Sequence, residues 1–269
     1  MLMMKESIQM ISFFIFFIIF IGLSLRYNWW RKPISYNQSR VLMYHMIKEH
    51  LPKYNKRNKW RVRVEDFENQ MAWFAKYGWH SYTISELLEA KVLPPKSFCI
   101  TFDDGYEDNF TNALPILKKY GFKATIYLVP QYTYNSWEKF EEGTFDKLLN
   151  LEQIKQMQES GMIEFGSHTL HHKNLLTIPD IEAGVEIIDS KKEVEKMTGE
   201  SCKSFAYPYG KYSDNIVRVV KNAGYKNATI VKRGFFEEDR PFEIKRVGIL
   251  GTESFLDFYL KITRIRNKL

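Results

Sequence analysis

Phe98-Cys99-Ile100-Thr101-Phe102-Asp103-Asp104-Gly105 is the stretch of sequence that decides the fold. Large apolar side chains alternate along it with Cys99 and Thr101, which indicates a buried β-strand. The glycine turns the chain, and residues 109–120 are predicted to form a helix. Two adjacent carboxylates therefore stand at the C-terminal end of a strand, where open sheets and barrels build their sites. Taken alone, the pair is equally consistent with caps on the following helix.

The rest of the chain alternates predicted strands with predicted helices at least five times. This alternation favours an α/β fold with a mainly parallel sheet or barrel. The carboxyl ends of parallel strands lie at one edge, so polar groups that follow different strands can converge there. The predicted strands around the first one cover residues 41–47, 124–129, 163–167, 204–207, 225–231 and 243–249.

Length and charge limit the classes of protein to consider. The 269 residues are enough for one sizeable domain, and the net charge of +7 suggests an anionic neighbour. Nucleic acid, a membrane face and an anionic glycan all qualify. We expect no nucleic-acid partner, because the basic residues are scattered and no nucleic-acid-binding motif is recognisable. The two cysteines are too few for a disulfide scaffold.

The N-terminal region contains a run without charge, residues 8–25, followed at once by Tyr27, Trp29 and Trp30. Its length is near the ~20 residues that a membrane-spanning helix needs, and the aromatic residues resemble an interfacial belt. We predict an uncleaved membrane anchor with its linker over residues 1–38. A cleaved signal peptide is the rival interpretation, with residues 22–24 as a weak cleavage site.

A histidine cluster follows the strand at 163–167. His168 and His172 are spaced i, i+4, and one helical turn would place both imidazoles on the same side. Two imidazoles and one carboxylate of the Asp103-Asp104 pair make the three-ligand set of a catalytic zinc site, although other first-row divalent metals accept the same ligands. His171 competes for the second imidazole position. An ordinary surface histidine cluster is the alternative to metal binding.

In this interpretation the two aspartates have different chemical roles. One is a metal ligand, and the other takes a proton from water during hydrolysis of an amide or ester. A third group of polar residues, Tyr207-Pro208-Tyr209-Gly210, follows the strand at 204–207. Residues 131–150 form a long aromatic loop, and loops of that length in compact domains are often functional.

Three segments resemble the first three motifs of the polysaccharide deacetylases, the NodB-type carbohydrate esterase family 4. They are Thr101-Phe102-Asp103-Asp104-Gly105, Ser167-His168-Thr169-Leu170-His171-His172 and Ala206-Tyr207-Pro208-Tyr209-Gly210. The resemblance covers about residues 39–250. It implies a distorted (β/α) barrel of the NodB type, here preceded by one transmembrane helix, and a catalytic domain over residues 39–269. It also implies metal-dependent removal of N- or O-acetyl groups from sugars.

The resemblance assigns roles to individual residues. Asp103 would be the general base, and Asp104, His168 and His172 the metal ligands. Pro208 and Tyr209 would line the substrate, with the backbone amide of Tyr209 helping to hold the oxyanion.

Two positions depart from the family pattern. The third motif usually begins with an arginine that pairs with the base, and here that position is Ala206. The usual catalytic-acid histidine near the C-terminus is missing, because no histidine follows His172. A subgroup that deacetylates poly-N-acetylglucosamine looks similar in both respects and carries its acid histidine in a Tyr-His context on an early strand. Tyr44-His45 fits that position, so we expect His45 to be the acid; an ordinary half-buried strand histidine is the alternative.

The predicted function is N-deacetylation of an amino sugar in a cell-envelope polymer, an exopolysaccharide or a lipid-linked precursor. A metal-dependent amidohydrolase of a small cyclic amide and a non-catalytic glycan-binding module on the same fold are the alternatives. The charges of Arg26, Arg31 and Lys32 after the apolar run favour a cytoplasmic domain. The polymer substrates of the family lie outside, and large domains translocate largely regardless of flanking charge, so we expect a periplasmic or extracellular domain.

Overall fold

The computed structural model describes residues 2–27, 29–52, 55–137 and 145–264. In the described part the strands form a nine-stranded sheet and a two-stranded sheet, and every strand pairing within these sheets is parallel. The strands are β1 (Arg40–Tyr44), β2 (Met46–Ile47), β3 (Arg61–Val62), β4 (His80–Tyr82), β5 (Ser97–Phe102), β6 (Ala124–Leu128), β7 (Ile163–Ser167), β8 (Ser204–Ala206), β9 (Asn227–Ile230), β10 (Ile244–Lys245) and β11 (Val247–Gly248). The α-helices are α1 (Leu2–Tyr27), α2 (Val64–Lys76), α3 (Ile84–Glu89), α4 (Leu114–Tyr120), α5 (Leu151–Glu159), α6 (Asp180–Thr198), α7 (Asp214–Asn222) and α8 (Phe255–Thr263).

The large sheet curls into a nearly closed barrel. Its strands follow the order β10-β9-β8-β7-β6-β5-β1-β11, with β4 added beside β5. The two ends of that path, β10 and β11, are separated in the chain by Arg246 alone. Ile244 pairs with Thr229 on one side of the seam, and Val247 pairs with Leu42 on the other. Because one residue joins the two end strands, the ends of the sheet lie next to each other, which confirms the expected (β/α) barrel in a nearly closed form.

Strand β5 is buried on both faces, as the alternating sequence predicts. Phe98 stacks on Phe74 of α2 with ring centroids 4.2 Å apart, and Phe102 meets Phe67 of the same helix at 5.9 Å. Burying one such ring contributes about 1.5–3 kcal/mol, so this face of β5 fastens α2 to the barrel. Thr101 belongs to the other face, where its hydroxyl receives a hydrogen bond from Arg246.

Most predicted strands are confirmed to within a residue or two, and β7 has the expected bounds. Two predicted strands are wrong as continuous elements. The strand expected at 41–47 is interrupted at His45, and the strand expected at 243–249 is interrupted at Arg246. Both interruptions are single residues: the His45 side chain lines an open cavity, and the Arg246 side chain pairs with Asp103.

The described chain divides into two compact units, residues 36–253 and residues 1–35 together with 254–269. In the second of these, Arg26 near the end of α1 forms a salt bridge with Asp257 of α8, with Nη1–Oδ1 at 2.8 Å. The backbone N–H of Ile34 also donates to the carbonyl of Thr263.

Helix α1 contains, over Glu6–Tyr27, a stretch long and apolar enough to cross a membrane, with a mean hydropathy of 2.5. It is the one such helix among the described residues. A signal sequence near an N-terminus satisfies the same criterion.

Candidate active site

The C-terminal ends of the barrel strands bring the three predicted polar groups together. Ligand atoms of Asp104, His168 and His172 all lie within 4.8 Å of one another, and the three residues are buried. Asp104 follows β5, and the two histidines follow β7. The structure thus brings together the three side chains that the sequence analysis named as metal ligands.

The carboxylate of Asp104 faces both imidazoles. Its Oδ1 is 3.3 Å from Nε2 of His172 and 3.6 Å from Nε2 of His168. That oxygen is buried and has no hydrogen-bond partner in the described structure. Leaving a buried carboxylate oxygen without a partner is costly, and a cation between the three atoms would satisfy it. The donor set therefore fits a divalent metal.

Each imidazole is oriented through its other ring nitrogen. Nδ1 of His168 is 2.8 Å from the carbonyl of Ala206, so Nδ1–H donates there and Nε2 presents its lone pair. Nδ1 of His172 is 3.2 Å from the hydroxyl of Tyr209. Such a contact at the far nitrogen is the usual way in which metal-ligating histidines are held. The expected helical turn is wrong, because residues 168–172 are irregular and converge through a bend.

His171, the rival ligand, points away from the cluster. Its Nδ1 is 2.8 Å from Oε1 of Glu186 on α6, and its backbone N–H donates to Oε2 of the same carboxylate. This double contact fixes the loop after β7 to α6. The His171 imidazole therefore contacts Glu186, and it is His172 whose imidazole lies in the cluster with Asp104 and His168.

Arg246 is a residue of the site that the sequence analysis missed. Its Nη1 donates to Oδ1 of Asp103 at 2.6 Å and its Nη2 to Oδ2 at 2.8 Å, and both side chains are buried. The arginine absent at Ala206 is thus supplied from the seam between β10 and β11. The predicted strand at 243–249 also carries Glu243 and Lys245, so no local signal singled out Arg246.

Arg246 is itself held in place. The ring of Tyr127 lies over its guanidinium at 5.7 Å, and Nε donates to the carbonyl of Ile230. Gly166 makes room for this arrangement, since a Cβ there would lie 2.6 Å from the Tyr127 ring. The arginine therefore has few ways to move away from Asp103.

The two adjacent aspartates have opposite pKa shifts. Burial would raise the pKa of Asp103, but Arg246 and then His168 outweigh it and hold the pKa well below the usual range. Burial, followed by repulsion from Asp103, raises the pKa of Asp104 well above its usual range. Asp103 is thus ionised at neutral pH by its arginine, whereas Asp104 needs a nearby cation to be ionised.

His45 stands in the interruption between β1 and β2. Its ring packs on Trp60 with centroids 4.5 Å apart. The side-chain amide of Asn109 donates to the His45 carbonyl, and Asp108 accepts the N–H of Ile47, so the helical segment after β5 fixes this interruption. Burial, offset by Asp103, lowers the pKa of His45 to about 4.

The segment after β8 is a short 3-10 helix, Pro208–Gly210. Pro208 fills its first position and has no N–H to donate. The amide of Tyr209 is therefore a helix-start donor without an intrahelical acceptor. Gly210 has φ 63°, and a Cβ there would lie 2.6 Å from Cβ of Val231, so only glycine fits the turn.

Backbone strain is concentrated at these segments. Among the described residues, five other than glycine have positive φ, and four of them belong to the site. Such conformations cost of order 1–3 kcal/mol each and persist where the surroundings determine them. The four are Asp104, Thr169, His172 and Tyr209.

The site opens into a cavity of about 730 Å³. Trp60 lines it beside His45, and Trp137 lines it with its ring 4.7 Å from that of His172. Trp137 comes from the aromatic loop predicted at 131–150, part of which, including Phe140, lies outside the described residues. Two indoles beside the reactive groups provide flat apolar walls for a ring-shaped substrate.

Comparison with known proteins gives a consistent result. A family model described as polysaccharide deacetylase matches residues 90–228. YxkH of Bacillus subtilis (strain 168), whose name contains the words polysaccharide deacetylase, is 31% identical over 215 residues, 78% of this chain and 71% of the relative. The poly-beta-1,6-N-acetyl-D-glucosamine N-deacetylase of Staphylococcus aureus (strain MSSA476) is 32% identical over 178 residues, 61% of this chain and 59% of the relative. The solved structure of Streptococcus pyogenes deacetylase PplD in complex with acetate matches with a TM-score of 0.72 and 25% identity, covering 86% of this chain and 99% of that chain.

Proposed function

This chain belongs to the polysaccharide deacetylase family, which acts on amide C–N bonds in polysaccharides, and we propose that it is a metal-dependent N-deacetylase of an envelope amino sugar. The observation that carries the proposal is the buried oxygen of Asp104, which has no hydrogen-bond partner and faces two imidazoles. That arrangement lies beside an ionised Asp103 at the base of an open cavity.

Asp104, His168 and His172 would hold the metal, with zinc as the first candidate and other first-row divalent ions as alternatives. Burial lowers the pKa of His172 well below its usual value, so its imidazole is neutral, the form that ligates. When bound, the ion would polarise the acetyl carbonyl and make water easier to deprotonate.

Asp103 is the proposed general base. Its pKa is held low by Arg246, so it is ionised over the whole physiological range and can accept a proton from attacking water. Both of its oxygens are engaged by the guanidinium, which fixes the carboxylate plane and leaves its outer lone pairs toward the cavity. The N–H of Tyr209 is the proposed donor to the oxyanion.

His45 is the proposed acid. Cleavage of the C–N bond releases acetate and an amine, and the amine leaves poorly unless its nitrogen is protonated. A pKa near 4 leaves the resting imidazole neutral, so the proton that His45 delivers would be the one that Asp103 takes from water in the same turnover. That proton would pass from Asp103 to His45 and from His45 to the leaving amine, which returns both groups to their starting states.

The proposed substrate is an N-acetylated hexosamine in a polymer or a lipid-linked precursor. Trp60 and Trp137 would contact the faces of sugar rings next to the reactive groups. The similarity to the staphylococcal enzyme named for poly-beta-1,6-N-acetyl-D-glucosamine supports this substrate class.

We also propose that α1 stays attached as a single-pass anchor and that residues 1–38 are anchor and linker, with the catalytic domain at 39–269. The exposed rings of Trp29 and Trp30 at the end of α1 support an interfacial position there. An outward-facing domain would be digested by protease added to intact spheroplasts. A domain that survives there and is cut only after lysis would contradict the outward orientation.

Release of acetate from a panel of acetylated glycans tests the function. The purified protein should release acetate from at least one N-acetylhexosamine oligomer, lose this activity on chelation and regain it when zinc is returned. Asp103→Asn is the matched control, because it preserves the shape of the site and removes the proposed base. Acetate release that survives both chelation and Asp103→Asn would contradict the proposal.

A further inference from the structure

One wall of the catalytic cavity is basic, and the chemistry described so far makes no use of it. Lys56 and Arg57 line the cavity on a 3-10 helix, Lys56–Trp60, whose last residue packs on His45. The only acids that line the cavity in the described part of the chain are Asp103 and Asp104. Asp103 is paired with Arg246, and Asp104 belongs to the proposed metal site. Lys56 and Arg57 therefore add positive charge to the cavity wall, with Arg57 lying 3.8 Å from the buried Asp146.

The segment that carries these charges is held firmly. The N-cap Asn55 accepts the N–H of Arg57, and Asn58 exchanges two hydrogen bonds with the backbone of Leu51. The N–H of Gly251 donates to the carbonyl of Lys59. The position of the basic wall relative to His45 is thus set by the fold.

Asp146 lies next to Arg57 of this wall and is surrounded by three cations. It is buried and lies 2.6 Å from Arg61, 2.9 Å from Lys48 and 3.8 Å from Arg57. These three cations, one of them Arg57 of the wall itself, outnumber the single charge of Asp146, so the region next to the cavity carries an excess of positive charge. Lys56 is exposed and forms no ion pair with any acid in the described part of the chain.

A basic wall is poorly suited to repeated deacetylation along a neutral polymer. Each turnover converts an acetamide into an amine, which becomes protonated, so the product of one cycle would bring positive charge toward Lys56 and Arg57. Like charges brought together at a binding site weaken binding. The wall suits instead a substrate that carries a compensating negative charge near the reacting sugar.

Resting on the proposed function, we infer that the basic wall formed by Lys56 and Arg57 binds a phosphate ester attached to the acetylated sugar. A guanidinium fork beside an ammonium matches the geometry and double charge of a phosphate better than a single carboxylate. Two sources share this chemistry: the diphosphate of a lipid-linked sugar, and a phosphate group carried by a polymer.

The experiment compares two substrates on each enzyme. One is a neutral N-acetylglucosamine trimer, and the other is the same trimer with a phosphate at its reducing end. The readout is the ratio of their kcat/KM values for acetate release. We expect the wild-type protein to prefer the phosphorylated trimer roughly five-fold or more at low salt, with the preference shrinking as ionic strength rises.

Lys56→Gln should bring the ratio to about one without changing turnover of the neutral trimer, and Lys56→Glu should invert it. Lys59→Gln is the matched control, because Lys59 lies on the same 3-10 helix with its Nζ over the Trp60 ring and does not line the cavity. It should keep the wild-type ratio. A ratio that is the same in the wild type, Lys56→Gln and Lys59→Gln overturns the inference.

Further substrates distinguish a lipid-linked diphosphate from a polymer phosphate, and a phosphate from a carboxylate. A trimer on a short prenyl diphosphate that is used better than the phosphorylated trimer identifies a lipid-linked precursor, and the reverse order identifies a phosphorylated polymer. A trimer ending in a carboxylate that is used as well as the phosphorylated one overturns phosphate specificity. Absence of acetate release from every substrate by metal-loaded enzyme contradicts the proposed function, whereas equal use of neutral and phosphorylated trimers overturns only this inference.

Discussion

Arg246 donates two hydrogen bonds to the carboxylate of Asp103, from Nη1 to Oδ1 at 2.6 Å and from Nη2 to Oδ2 at 2.8 Å, although the two residues are 143 positions apart in the chain. The pair is buried, so neither charge has water as a substitute partner. Removing one member of a buried ion pair typically costs about 3–5 kcal/mol, because the other charge is left uncompensated.

Arg246→Gln should therefore lower both stability and activity. We expect a loss of about 3 kcal/mol or more in the free energy of unfolding and a fall in kcat of roughly 100-fold, because Asp103 loses the charge that keeps it ionised. Denaturant titration and acetate release measure the two effects. Arg246→Lys keeps the charge and loses the fork, so it should recover part of each. Full wild-type turnover in Arg246→Gln would show that the pair has no part in the chemistry.

Metal content should depend on Asp104 and His168. Asp104→Ala and His168→Ala each remove one of three ligands, and we expect bound zinc to fall well below one equivalent after dialysis. His171→Ala is the matched control, since that ring contacts Glu186 and should leave metal content unchanged. Elemental analysis of the dialysed proteins measures the equivalents of zinc bound by each variant. A full equivalent in both ligand variants would place the metal elsewhere.

His45→Ala should keep the metal and lose turnover by about 100-fold, the usual contribution of a general acid. Substrates whose leaving amine is already a good leaving group should be affected much less, because they need no proton. Kinetics on an activated N-acetyl substrate and on a sugar substrate provide the comparison. Equal losses on both substrates would point to a structural defect in place of a missing acid.

Asp108 should make stability depend on pH. Burial raises its pKa to about 7, against an ordinary value near 4, even though the N–H of Ile47 favours its ionised form. The folded state thus holds a proton that the unfolded state releases, and this group's contribution to stability is lost as pH rises from about 4 through 7. The loss is on the order of 2–4 kcal/mol by linkage.

Asp108→Asn keeps an acceptor for Ile47 and cannot ionise. The variant should therefore lose less stability than the wild-type protein between pH 5 and pH 8, as measured by denaturant titration at each pH. The same pH dependence in both proteins would assign it to other groups.

The sequence predicted much of the barrel, because its strands are short apolar runs separated by helices with clear caps. Thr83 and Glu86 form a capping box at the start of α3, and Gly121 ends α4 in the left-handed conformation. The sequence also predicted that Asp104, His168 and His172 would lie close together, since Asp104 and His168 lie within two residues of a strand end and His172 follows four residues after His168.

Arg246 was not found because nothing local distinguishes it. Its function depends on closure of the barrel, a long-range event that places one residue of a broken strand beside a carboxylate from β5. The position of His45 was recognised by resemblance, but the interruption that frees it was not, since Val41 to Ile47 is uniformly apolar around it. The bend at 168–172 was missed because i, i+4 spacing suggests a helix, and the left-handed residues Thr169 and His172 achieve the same convergence differently.

The seam at Arg246 lies late in the chain, so the ion pair between Arg246 and Asp103 can form only after most of the barrel has been translated. Asp103, Asp104, His168 and His172 are all translated earlier than Arg246, so a nascent chain carries the proposed ligands and the proposed base before the partner of Asp103 exists. Only when β10 and β11 dock on both sides of the seam does Asp103 acquire its partner. A chain in which the barrel has not closed therefore leaves Asp103 without the charge that holds its pKa low.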